Sequence, residues 1–275
     1  MTIEPWRPRH PLESPIWKLQ QAEKHIRTIK DYLGLWESLR PNDVVRKLNA
    51  DGTSYDFKLV ARFPPFIDFG ITLGEFAYQL RSALDQIIFA LCVFPTDLDA
   101  EALNRAERSA SFPILMKRED RAIRAALRYV PPAREHAVFA VLDAVQPYQR
   151  GDAAEFDDLA LLNEINVRDK HRVLAPASGA LTIQREGLDP AVWIATDNVD
   201  DGDTIARSPA HLGPDVLEGR ISREILVPIM RPAAGIPLAR IGEIYSCVAF
   251  DVLPRFFEFF DPLPSTVRAP TPPNV

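Results

Sequence analysis

The chain is poor in the features that announce a function. It has two cysteines among 275 residues, Cys92 and Cys247. They are too few and too far apart for a zinc module. Both fall in apolar helical stretches, which reads as free buried thiols in a reducing cytoplasm, with a disulfide as the less favoured option. No apolar run reaches the ~18 residues of a membrane span. One candidate is interrupted by Arg81 and Asp85, the other by Asp251 and Arg255. The N-terminal MTIEPWRPRHPLESP has no apolar core and no small-residue cleavage site, so no secretion signal is expected. GxGxxG, P-loop, GxSxG and HExxH motifs are all absent. No internal repeat and no convincing interdomain linker is found. The net charge of −6 argues against general DNA coating while allowing a local basic patch.

What is present is the composition of a soluble globular protein, 47% hydrophobic, with enough apolar residues for one large core or two modest ones. Helix patterns dominate. Leu19, Ala22, Ile26, Ile29, Leu33 and Trp36 recur in threes and fours after Ser14-Pro15, predicting an amphipathic helix to about Arg40 with Ser14 as its cap. Val44–Leu48 and Tyr55–Phe63 read as a hairpin around Asn49-Ala50-Asp51-Gly52. Thr72 and Glu75 form a capping-box pattern for a central helix to Phe94, with Phe76, Leu80, Leu84, Ile87 and Leu91 on its buried stripe. Residues 95 to 116 read as polar and irregular, ending in Phe-Pro-Ile at 112–114. Further helices are expected at about Arg118–Arg128, Pro132–Val145, Ala154–Val173 and Leu238–Phe260, with strands at Leu181–Ile183, Val192–Ile194 and Ile225–Ile229. The fold class is therefore α+β, a four- or five-helix bundle with a small antiparallel sheet. Residues 1–261 form one domain, with a helical core over about 14–175 and 238–260 and a β-rich section over about 178–230. The Pro-rich 262–275 is expected to be a disordered tail.

Two polar constellations stand out. In the central helix, Arg81 and Asp85 interrupt a nearly all-apolar segment, with Tyr78 one turn before. Arg before Asp at i,i+4 gains only a few tenths of a kcal/mol locally. Burial of the pair then requires further acceptors for Arg81, either structural ones or an anionic ligand. The second lies in Ala154–Val173, where Phe156, Leu159, Asn163, Val167 and, just beyond, Leu174 are expected on one face that turns polar with Asn166 and Lys170, and ends in Arg168-Asp169-Lys170-His171-Arg172. Basic residues there also suit a helix C-terminus. Arg121, Arg124 and Arg128, with Lys117, make a basic row read as a solvated face or a phosphate contact. Gln146-Pro147-Tyr148-Gln149 ends a helix and could deliver Tyr148 or Gln146 to a pocket.

Taken together, LGEFAYQLRSALDQ, FPI, QPYQ and DKHR resemble a family of uncharacterised bacterial proteins, over roughly residues 70–175. In that family Arg-x4-His on a long bundle helix resembles the ribonuclease motif of HEPN domains, helical modules of toxins and phage-defence proteins. The matching positions here are Arg81 and Gln86, and Gln has no acid or base to offer. The expected function is binding of an anionic ligand, a nucleotide or RNA phosphate, in a polar cavity lined by Arg81, Asp85, Tyr78, Asn166, Asp169, Lys170, Arg172 and Tyr148. The alternatives are a metal-independent HEPN-like ribonuclease with His171 as acid/base and Arg81 or Arg172 on the phosphate, and a non-catalytic structural or partner-binding protein. No metal, cofactor or membrane partner is expected, and a homodimer is left open. The site expectation requires Arg81 and His171 to share a cavity within about 10 Å.

Overall fold

A computed structural model describes residues 10–38, 42–61, 67–94, 98–171, 178–195, 202–227 and 236–261. The expected Pro-rich tail, Arg172, Val173 and Leu174 lie outside these residues. The fold is α+β, as the residue patterns require. Seven α-helices occur among the described residues: α1 (Glu13–Ser38), α2 (Ile67–Val93), α3 (Ala100–Ser109), α4 (Asp120–Ala126), α5 (Pro132–Ala144), α6 (Asp158–His171) and α7 (Arg240–Ser246). The strands are β1 (Asn42–Leu48), β2 (Ser54–Ala61), β3 (Ser178–Ile183), β4 (Trp193–Ile194), β5 (Thr204–Pro209), β6 (Ile221–Val227) and β7 (Ile236–Pro237).

The helices share one core, into which α2 inserts Phe76, Leu80, Leu84, Ile87, Ile88 and Leu91, all fully buried. α1 buries Leu19, Ala22, Ile26 and Ile29 against it. The two helices run antiparallel: Ser14 near the start of α1 donates to Gln86 Oε1 at 3.0 Å, whereas Lys18, one turn on, lies over Tyr78. Ser14 is thus spent on a neighbouring helix and is not the cap expected, and α1 begins at Glu13 with its N–H on the His10 carbonyl. Cys92 and Cys247 are free thiols; Cys92 is buried as expected, whereas Cys247 is half-buried.

The strands form two antiparallel sheets where one was expected, β1-β2-β5-β4 and β3-β6-β7. A second, smaller hydrophobic cluster of Phe57, Leu59, Ile205, Ala206 and Leu217 underlies the first sheet. β5 was missed, because Ile205 and Ala206 alone in T-I-A-R-S-P give too short an apolar signal.

Several helix boundaries differ from expectation for identifiable reasons. α2 starts before the Thr72 capping box, and Thr72 Oγ1 instead donates back to the Asp68 carbonyl at 2.8 Å. The stretch read as irregular contains α3, capped by Asp99, whose carboxylate accepts from the Ala102 N–H at 2.7 Å. α6 begins four residues later than expected. Asp157 is extended and accepts from the Leu159 N–H at 2.9 Å, while residues 147–156 form a separate 3₁₀ segment. The predicted face of α6 holds only in part: Leu159 and Asn166 are buried, but Phe156 and Val167 are exposed, and Leu161, Leu162 and Ile165 are buried besides. The last helix changes pitch, α over Arg240–Ser246, π over Cys247–Val252 and 3₁₀ over Leu253–Phe260. Pro254 has no N–H to return to the turn before it, and the ladder shifts register around that gap.

Among the described residues no helix is long and apolar enough to cross a membrane.

Candidate functional site

Gly74, Tyr78, Arg81 and Asp85 fall at i, i+4, i+7 and i+11, so they form one stripe along α2. The stripe has two differently occupied ends.

At the C-terminal end, the Arg81–Asp85 pair (2.9 Å) clamps the segment that carries Phe-Pro-Ile. Arg81 Nη2 donates to the Phe112 carbonyl at 2.7 Å and to Ser111 Oγ at 3.1 Å. Asp85 Oδ1 accepts the Phe112 N–H at 2.8 Å and the Ser111 hydroxyl at 3.1 Å. Both backbone groups of Phe112 and both roles of the Ser111 hydroxyl are therefore satisfied by one ion pair, and the Phe112 ring is fully buried. Burial lowers the guanidinium pKa of Arg81, and the adjoining Asp85 carboxylate offsets part of that. These are the structural acceptors that burial of the pair demanded.

The other side of the same segment is held by the Gln146-Pro147-Tyr148 turn. Gln146, almost fully buried, accepts the Leu115 N–H at 2.9 Å and donates to the Leu142 carbonyl at 3.0 Å. The Tyr148 N–H reaches the Leu115 carbonyl at 3.3 Å. The Tyr148 hydroxyl donates to Asp143, and burial together with that hydrogen bond raises its pKa. Three of the four sequence motifs thus converge on one strut, with residues 112–115 hydrogen-bonded to α2 on one side and to the turn after α5 on the other.

The fourth motif lies elsewhere. Asp169 near the end of α6 sits against Gly74, where a Cβ would overlap its carboxylate. Burial and then the neighbouring Glu75 raise the Asp169 pKa. Gly74 and Arg81 are seven residues apart, about 10 Å along a helix. Asp169 and the Arg81 clamp therefore occupy different ends of the stripe. Asn166 is buried, Lys170 is exposed, and the side chain of His171 and all of Arg172 lie outside the described residues.

Tyr78 stands between the two ends, 45% exposed, with Lys18 Nζ 5.2 Å from its ring centroid. Lys18 was not anticipated, since it belongs to another helix. Ser111 and Gly74 were also missed, although an isolated Gly in a helical pattern is a known sign of close approach. Gln86 accepts from Ser14 across the α1–α2 interface. In the basic row, Arg124 pairs with Glu135 at 3.3 Å and lies over Phe139, and Arg128 lies over Tyr129. Among the described residues no group of three or more His, Cys, Asp or Glu is placed to hold a metal ion. No protein-family model, curated protein or solved structure matches the chain.

Proposed function

We propose that this protein is a binding protein for an anionic ligand, a nucleotide or RNA phosphate, in the bacterial cytoplasm. The ligand would lie over the Gly74–Tyr78 half of α2 and the end of α6. The observation that carries this reading is the exposed Tyr78 ring with the Lys18 ammonium beside it. An exposed aromatic face offers a stacking surface for a base, and an adjacent cation suits the phosphate that follows it. Lys170 supplies a second cation, this one exposed, followed in sequence by His171 and Arg172. Arg81 and Asp85 leave the binding set and Tyr148 goes with them, because their side chains are engaged in holding the 111–115 strut and Asp143.

The test is fluorescence anisotropy of a labelled short oligoribonucleotide with wild type, Tyr78→Ala and Lys18→Ala. Saturable binding that weakens in both variants, by about 1–3 kcal/mol for the ring, is expected. Cleavage of the probe that disappears in His171→Ala would replace this reading with a HEPN-like ribonuclease. No binding by wild type would leave a structural or partner-binding protein, the reading that the commitment of Arg81 to the strut favours.

A further inference from the structure

The four-stranded sheet ends at β1, and no other strand among the described residues pairs with its outer side. Backbone alternation decides which groups that side offers. The Asn49 N–H donates to the Ser54 carbonyl across the hairpin at 2.8 Å. Counting back in twos, Lys47, Val45 and Asp43 turn their backbone groups to β2, and Leu48, Arg46 and Val44 turn theirs outward. The Val44 N–H fits this alternation, being held by the Asp43 carboxylate at 2.9 Å. β1 is seven residues long, contains no proline, and pairs with β2 without a register shift. Val45 and Leu48 are exposed on it. Such an edge is a template for another strand.

We propose that β1 pairs antiparallel with β1 of a second copy of this chain, centred on Val45, joining the two sheets into one of eight strands. The sequence Asn-Asp-Val-Val-Arg-Lys-Leu selects both partner and register. Centred on Val45, Asp43 stands opposite Lys47 of the second copy on each side of a Val45–Val45 contact. Val44 stands opposite Arg46, so the outward-facing backbone groups meet. Centring on Arg46 would leave Asp43 opposite Asn49 and Lys47 opposite Val45, and centring on Val44 would leave Asp43 opposite Val45. Lysine on an edge strand ordinarily repels intruders. Here only a strand carrying an acid four residues before its own lysine neutralises it on both sides, and the chain itself is such a strand. The Val44 N–H exchanges the Asp43 carboxylate for the Arg46 carbonyl of the second copy.

The test is sedimentation equilibrium over a concentration series. Wild type is expected to dimerise, and Asp43→Lys or Lys47→Glu alone to weaken association at least about tenfold, because each sets like charges opposite one another. The double variant, and an equimolar mixture of the two single variants, should dimerise again, since both restore opposite charges at every 43–47 contact. A wild type that stays monomeric throughout overturns the proposal. A dimer that survives both single reversals, or reversals that mixing does not rescue, overturns it equally.

Discussion

At the scale of the residue, one missing Cβ governs how α6 meets α2. Gly74 lets the Asp169 carboxylate lie directly on the α2 backbone. Elsewhere in a helix interior, Gly→Ala is worth up to about 1 kcal/mol of stability. Gly74→Ala should gain that amount only in an Asp169→Ala background. With Asp169 present the carboxylate must move, and the gain is expected to vanish or reverse. Urea midpoints of the four proteins in this double-mutant cycle decide it, and additive effects would mean that the two residues are not coupled. Tyr245 is the converse case, a fully buried ring whose hydroxyl finds no hydrogen-bond partner among the described residues. The cost of an unpaired buried hydroxyl sits in the native protein itself.

At the scale of the element, the strut 111–115 has little regular structure of its own and is fixed by side chains from α2 and from the turn that follows α5. Arg81→Lys keeps the charge but loses the planar fork that reaches Phe112, Ser111 and Asp85 together. Gln146→Ala leaves the half-buried Leu115 N–H without its acceptor. Each is expected to cost about 1–3 kcal/mol, the range for an unsatisfied buried polar group. Neither should alter oligonucleotide affinity in the folded protein, because the proposed ligand site does not use the strut. Chemical denaturation paired with anisotropy separates the two effects. Weakened RNA binding by a fully folded Arg81→Lys protein would return Arg81 to the ligand site.

At the scale of the whole molecule, the core should make stability sensitive to alkali. Burial pushes the Cys92 thiol up to about 11 and the Cys247 thiol to about 12, and burial followed by nearby Glu23 raises the Tyr245 phenol to about 12. All three are acids held neutral in the folded state. The unfolded chain loses their protons first, so the folded state is unaffected at neutral pH. Stability then falls as pH rises from the ordinary thiol and phenol range, near 8.5–10, toward 11–12. Urea midpoints measured from neutral to alkaline pH should decline in this window, and Tyr245→Phe should flatten part of the decline. An unchanged decline in Tyr245→Phe would mean that the phenol titrates normally.

The sequence by itself determined the class of fold and most of its core. Helical periodicity is written into each residue's own neighbourhood, so the buried stripes of α1 and α2 and the β1–β2 hairpin were legible from spacing alone. Helix ends were less so. Thr72 and Ser14 had the right chemistry for caps, but their hydroxyls found other partners, and Asp99 and Asp157 did the capping. Of the candidate site, the residues were legible and the roles were not. The burden carried by Arg81 depended on where Ser111 and Phe112 come to rest, thirty positions away in the chain. That Tyr78 would be joined by Lys18 depended on two antiparallel helices. Only tertiary structure decides such pairings, because hydrogen bonds and ring contacts act over a few ångströms in space, without regard to distance along the chain.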